Sequence, residues 1–307
     1  MTNTIVVAMD HNYAWGAYMM IASLRYNHMP EPVIVLGFGL TAADHQALLA
    51  LNNVRIIDGE SSSRNLTCCK PDAMALADTD YITWVDCDSF FIGNCSDRLL
   101  WPDHDMIHIR LRQESENAAV FRHLGGQGIT PPAILDAWRR DVGERNEARL
   151  ATCCSACLMS LHRKHLPFVR RWSEQIAKVL PEGNVGVVDR RSFAYFQTDE
   201  SVLNSLLCFA EEAPTVSPYY KLDKDPAALF VHFISRPKPW DCWTPRPFRF
   251  FRQYTAVMDW ALAQKLPLPG PVPLALRSDR YATNYLRSRF AVPRRKFHTL
   301  LHRLHLE

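Results

Sequence analysis

Within the first hundred residues, short β-branched runs alternate with segments of helical length. This alternation restricts the fold more than any other feature of the chain. Ile5–Met9 is the first run, and Tyr13–Asn27 then carries apolar residues at helical spacing and stops before Pro30. Pro32–Gly37 holds the second run, Val-Ile-Val-Leu, and Thr41 stands where it can cap a helix running through Leu51. Val54–Ile57 is a third run, Pro71–Ala77 reads as helical, and Tyr81–Val85 is a fourth, fully apolar run. Short strands separated by helices of about ten to fifteen residues predict a mainly parallel α/β sheet covered on both faces. Ligands of such sheets bind beyond the carboxyl ends of the strands. Asp10 and Asp86 stand at two of those ends.

At 307 residues, 48% hydrophobic and 22% charged, the chain can bury a large core, which excludes disorder and collagen-like repeats. Its nine cysteines are odd in number and irregularly spaced, which argues against an extracellular disulfide framework and for buried thiols. The N-terminus opens into the first strand without a basic leader, and Ala14–Leu24 falls short of the ~20 residues that span a bilayer. A cytoplasmic, reduced protein is expected. The expected organisation is one main domain over residues 1–266, within which the polar, irregular 110–150 reads equally as an acceptor-side insertion or a solvated surface excursion. A Pro-rich spacer at 267–273 and a basic amphipathic tail at 274–307 follow.

Two carboxylates on a tight turn can share a divalent ion, but Asp-x-Asp occurs four times here and is weak evidence alone. Asp78/Asp80, Asp103/Asp105 and Asp223/Asp225 read as surface turns. Asp86-Cys-Asp88 differs because it lies between the apolar Tyr81–Val85 and Phe90–Ile92, where buried carboxylates need a partner such as a metal. His232 follows the apolar Ala227–Val231 and reads either as an ordinary hydrogen-bonded residue or as a ligand. The Lys238-Pro239-Trp240 element six residues on favours the ligand reading, since a positioned ammonium beside an imidazole suits a metal-bound diphosphate. Thr198-Asp-Glu-Ser-Val-Leu-Asn204 fits two readings equally. Thr198 can cap a helix whose dipole favours Asp199 and Glu200, or those carboxylates can face a polyhydroxy substrate.

Taken in order over about residues 4–242, these segments resemble the retaining family 8 glycosyltransferases of the GT-A fold, which include glycogenin and bacterial lipo-oligosaccharide α-galactosyltransferases. Met9-Asp-His-Asn-Tyr13 is similar to the family's nucleotide-gripping turn. Lys70 precedes Asp86 by sixteen residues, like the family's donor-binding lysine. His232, Lys238, Pro239 and Trp240 match His-x-x-Gly-x-x-Lys-Pro-Trp, and Asp199–Asn204 matches Asp-Gln-x-x-Leu-Asn. Three positions depart from the pattern: Ser235 replaces glycine, Cys154-Ser155-Ala156 stands for Asn-Ser/Ala-Gly, and Glu200 replaces glutamine.

The resemblance implies transfer of a hexose from a UDP-sugar to a hydroxyl, with retention of anomeric configuration. It implies Mn²⁺ or Mg²⁺ on Asp86, Asp88 and His232. It places the donor against Asp10, Asn12, Tyr13, Lys70, Asp86, Ser155, Ser235 and Lys238, and gives Asp199, Glu200 and Lys238 catalytic roles. A donor-binding protein without catalysis and a self-glycosylating protein like glycogenin are the alternatives. A nucleotidyltransferase wants a Gly-rich loop where Asp10–Tyr13 stands, and no nucleic-acid module is present. The net charge of +3 conceals a split, since residues 271–307 hold 8 basic and 2 acidic side chains. Arg287, Arg289, Arg294, Arg295, Lys296 and Arg303 interleave with Tyr285, Leu286, Phe290, Phe297 and Leu300. Such a tail reads as a helix packed back on the catalytic domain or as an interfacial helix on the anionic inner face of the cytoplasmic membrane; the resemblance implies the second, a peripheral attachment near a glycan or glycolipid acceptor in surface-polysaccharide synthesis.

Overall fold

The computed structural model describes residues 1–60, 65–180, 193–218, 229–234 and 236–291. Its strands are β1 (Asn3–Asp10), β2 (Val33–Phe38), β3 (Val54–Asp58), β4 (Tyr81–Val85), β5 (Ser89–Phe91), β6 (Met106–Leu111), β7 (Cys154–His162), β8 (Thr215–Pro218) and β9 (Phe230–His232). Its helices are α1 (Ala14–Tyr26), α2 (Ala42–Leu49), α3 (Lys70–Met74), α4 (Glu114–Val120), α5 (Pro132–Val142), α6 (Leu166–Val179), α7 (Asp199–Phe209) and α8 (Phe251–Ala263). Seven strands form one sheet in the order β3-β2-β1-β4-β7-β6-β8, and β5 pairs with β9 in a separate two-stranded ladder.

The alternation in the sequence is resolved as expected. β2, β1 and β4 lie parallel side by side with β3 outside; α1 connects β1 to β2, α2 connects β2 to β3, and the segment with α3 crosses from β3 to β4. Only β7 runs against the rest, pairing antiparallel with β4 and with β6. Successive residues of β1 point to opposite faces. Ile5, Val7 and Met9 join the core under α1, α2 and α8, whereas Val6 and Ala8 join the core with α3, α5, α6 and α7. Both faces are therefore dry, which is why these strands read as unbroken apolar runs. Thr41 caps α2 in a reciprocal capping box with Asp44.

Because β7 is reversed, one edge of the sheet collects the ends of β1, β4 and β6 together with the start of β7. Asp10, Asp86, Arg112 and Cys154–Ala156 thus come from distant parts of the sequence to one side. The segment 110–150 carries α4 and α5, and α5 buries Ile134 and Trp138 against the body.

Beyond α8, Leu268 and Val272 are partly buried against the core and Leu276 is fully buried. The Trp243 indole donates to the Ala275 carbonyl at 2.8 Å. Residues 281–291 are helical, and Tyr281 packs on Phe248 and Phe251 at 5.3 and 5.5 Å. The part of the expected spacer and tail that is described therefore lies on the body. Leu286 and Phe290 remain exposed on it, and positions 294–304 lie outside the described residues.

Candidate active site at the sheet edge

β4 ends at Val85, and a tight turn closed by Ser89 N donating to Asp86 O at 3.0 Å leads into β5. The β5–β9 ladder sets Ser89 opposite His232, and Phe233 N donates to Asp88 O at 2.9 Å. This ladder carries His232 across more than a hundred residues of sequence to the two aspartates. One ligand atom from each of Asp86, Asp88 and His232 lies within 4.8 Å of the others. The His232 Nε2 is 3.0 Å from Asp88 Oδ1 and 3.5 Å from Asp86 Oδ2.

The other oxygen of each aspartate faces a lysine. Lys70 Nζ is 3.0 Å from Asp86 Oδ1, and Lys238 Nζ is 2.5 Å from Asp88 Oδ2. Lys238 also donates to the carbonyls of Phe233 and Ile234 at 2.8 and 3.3 Å, so the ammonium is held on three sides. Trp84 Nε1 donates to Asp86 Oδ1 at 2.8 Å. Two carboxylate oxygens and an imidazole nitrogen thus converge while lysines neutralise the outer oxygens. That donor set suits a hard or borderline divalent cation. Burial alone would raise the Asp88 carboxyl, but His232 and Lys238 hold it far below the usual carboxylate range. Burial alone would likewise lower His232, but Asp88, and after it Cys157, push the imidazole well above its ordinary value.

Lys70 is buried at the start of α3, and its ammonium reaches Asp199 Oδ2 at 3.1 Å and the Ala156 carbonyl at 3.2 Å. Desolvation opposes its charge, yet Asp199 and Asp86 keep it above the ordinary lysine range. Asp199 is raised by burial, which Lys70 offsets only in part.

Thr198, for which a helix cap is one of two equal readings of the sequence, makes no capping bond. It lies at φ 52° and ψ −123°, a conformation that strains a β-branched residue, and its hydroxyl donates to Asp199 Oδ1 at 3.0 Å. Glu200 follows in the first turn of α7. Its Oε2 accepts from Ala156 N at 2.9 Å, and its Oε1 accepts from the guanidinium of Arg112. Burial would raise this carboxyl, but Arg112 first, and after it the Ala156 N–H and Lys70, hold it below its ordinary range. Asn204, one turn on, fixes α7 to β7: Cys154 N donates to its Oδ1 at 2.6 Å, and its Nδ2 donates to Cys154 O at 3.1 Å.

At the end of β1, Asp10 Oδ1 accepts from Tyr13 N and Oδ2 accepts from Asn12 Nδ2, both at 3.2 Å. Tyr13 meets Trp240 edge to face at 5.8 Å, so the nucleotide-type turn and the Lys-Pro-Trp element touch. A Cβ on Gly16 would lie 2.5 Å from Trp240 and 2.8 Å from the Cys87 carbonyl. Ser155 sits at the start of β7, its hydroxyl 3.7 Å from Cys157 Sγ. Ser235 lies outside the described residues.

The structure therefore brings Asp86, Asp88, His232, Lys238, Lys70, Asp199 and Glu200 together, with Asp10–Tyr13 tied to them through Trp240. Sequence reasoning missed Arg112, although the strand-end rule that selected Asp10 and Asp86 would have found it after β6. It also missed Gly16 and the Ala156 peptide groups, which carry no side-chain signal. Of the other Asp-x-Asp pairs, Asp78, Asp103 and Asp105 are exposed, Asp80 accepts from Thr2 N at 2.8 Å, and Asp223/Asp225 lies outside the described residues. All nine cysteines are free thiols, seven of them buried.

The fold is the GT-A Rossmann-like fold of glycosyltransferases. Among solved structures, the chain aligns with the galactosyltransferase LgtC in complex with donor and acceptor sugar analogs, at TM-score 0.52 and 14% identity over 82% of this chain and 95% of that one. An active-site mutant of LgtC bearing glutamate for glutamine aligns at TM-score 0.52 and 15% identity, with the same 82% and 95% coverage. The glycosyltransferase GlyE of Streptococcus pneumoniae TIGR4 aligns at TM-score 0.53 and 13% identity over 89% of this chain and 65% of GlyE. No family profile and no curated protein sequence matches the chain.

Proposed function

We propose that this chain is a metal-dependent, retaining glycosyltransferase that moves a hexose, galactose or glucose, from a UDP-sugar to a hydroxyl of a glycan or glycolipid. The observation that carries the reading is the convergence of Asp86, Asp88 and His232, flanked by Lys70 and Lys238 and facing Asp199 and Glu200. Mn²⁺ or Mg²⁺ held by those three ligands would act as a Lewis acid on the leaving diphosphate.

The chain's own groups do the rest. Lys238, locked by two carbonyls, and Lys70, locked by two carboxylates, supply preorganised positive charge where the diphosphate gathers negative charge. Asp10, Asn12 and Tyr13 orient the nucleotide. Asp199 accepts from donor-sugar hydroxyls, with Ser155 lining the same sugar. Glu200 faces the anomeric centre as a fixed carboxylate and stabilises its developing positive charge. Both its oxygens are engaged, by Arg112 and by Ala156 N, which favours this electrostatic role over covalent attack. The LgtC mutant with glutamate for glutamine makes such an exchange in its active site by substitution.

Leu286 and Phe290 stand exposed beside Arg287 and Arg289, which supports a membrane-facing C-terminal segment on the inner leaflet in bacterial surface-polysaccharide synthesis. No helix among the described residues is long and apolar enough to cross a membrane. UDP release from a panel of UDP-sugars with Mn²⁺, followed by NMR of the product anomer, tests the reading. Release with an α-linked product from an α-donor is expected; an inverted product or no release contradicts it.

A further inference from the structure

We infer that Arg112 is the positioning residue of this site, a dedicated counter-ion that holds Glu200 in one orientation as a carboxylate. The inference rests on the transferase reading above and assigns a role to a residue outside every motif of the sequence. Three observations converge on it.

Arg112 is itself immobilised. It stands one residue beyond β6, its backbone N donates to Cys153 O at 3.0 Å, and its carbonyl accepts from Thr152 Oγ1 at 2.8 Å. Its Nη1 donates to Cys154 O at 3.0 Å while Nη2 binds Glu200 Oε1. The guanidinium therefore spans from β7 to α7, and only 11% of the side chain is exposed.

The other cation within reach is already committed. Lys70 divides its ammonium among Asp86, Asp199 and the Ala156 carbonyl. Without Arg112, the buried Glu200 carboxylate would either take up a proton or draw Lys70 away from Asp86, one of the three proposed metal ligands. The same contacts explain why this chain accommodates a carboxylate where the resemblance leads one to expect an amide. An amide at position 200 would leave the Arg112 guanidinium buried without its counter-charge. The charged and titratable groups facing Glu200 are Arg112 after β6, Lys70 on α3, Asp199 on α7, and Cys153 and Cys154 at the start of β7.

The test compares full-length wild type with Arg112→Met, Arg112→Lys, Glu200→Gln and the double variant Arg112→Met/Glu200→Gln. Two readouts are taken: titration of the Glu200 carboxyl by carbon-13 NMR, and kcat and KM for UDP-sugar hydrolysis across pH. Arg112→Met should raise the Glu200 midpoint by about one pH unit or more and lower kcat about tenfold, with KM changed less than about threefold. Arg112→Lys should recover at least about threefold of the lost kcat, and the double variant should match Glu200→Gln within about twofold. The double variant leaves no buried charge unpaired and so reads the coupling even where Arg112→Met alone does not fold. An unmoved midpoint in Arg112→Met, or a double variant that loses about a further tenfold beyond Glu200→Gln, overturns the inference. Wild-type turnover is the separate control. If it is absent the transferase reading falls, and the carboxyl titration alone decides on Arg112.

Discussion

Lys70 and Arg112 divide four acidic groups between them and Lys238: Lys70 serves Asp86 and Asp199, Arg112 serves Glu200, and Lys238 serves Asp88. Each of these four acids thus has a cation set against it, the preorganised charge that the proposed diphosphate chemistry needs. Asp88→Asn removes one ligand charge and the anchor of Lys238. It should cut metal-dependent turnover at least about a hundredfold and weaken Mn²⁺ binding by about tenfold, read by titration calorimetry. His108 on β6 offers a pH test away from the chemistry. It stacks on Trp101 at 4.3 Å, and burial pushes its imidazole down to about 4. An unfolded histidine titrates near 6.5, so between those values the unfolded state binds the extra proton. The stability His108 contributes is complete above about pH 6.5 and falls away as pH drops toward 4, by about 3 kcal/mol in all. Thermal melts at pH 7 and pH 5 should show a smaller acid loss in His108→Phe than in wild type.

Two elements place the chemistry: the β5–β9 ladder that delivers His232, and the strained entry to α7 that delivers Asp199 and Glu200. Thr198→Gly should relieve roughly 1 kcal/mol of backbone strain while losing the hydroxyl bond to Asp199. A melting temperature held or raised, together with lower kcat, is the expected pair of results. Gly16→Ala forces a methyl against Trp240 and the Cys87 carbonyl, so it should destabilise the fold by about 1–3 kcal/mol and weaken donor binding. At this scale the first four strands and their helices were legible, because a sheet buried on both faces writes itself as apolar runs of limited length. Asp86/Asp88 and His232 were legible for the same reason, as polar residues at the ends of such runs. The β5–β9 pairing was not, since it joins two three-residue strands with no local signal. Arg112 was hidden because β6, Met-Ile-His-Ile-Arg-Leu, mixes charged with apolar residues and so marked no strand end, and because position 112 itself fell in the 110–150 segment read as an insertion.

Across the whole molecule, the C-terminal segment joins the core before it faces outward. Leu276 is fully buried, and Asn284 donates to the Leu274 carbonyl at 3.0 Å. Leu276→Ala should therefore destabilise the catalytic body by about 3 kcal/mol, measured by denaturant unfolding. Truncation after residue 291 should leave that packing intact and lower affinity for anionic vesicles. The overall charge of +3 hides this division between a body that is net acidic and a segment that is net basic. In the proposed reaction Asp86, Asp88 and His232 hold a divalent ion for the departure of a nucleoside diphosphate. The measurement that tests it most directly is UDP release from UDP-galactose and UDP-glucose by wild type and Asp88→Asn, with Mn²⁺ and with chelator. The account predicts release by wild type with Mn²⁺, and none by the variant or under chelation. Release that persists with chelator, or equal release by Asp88→Asn, would contradict it.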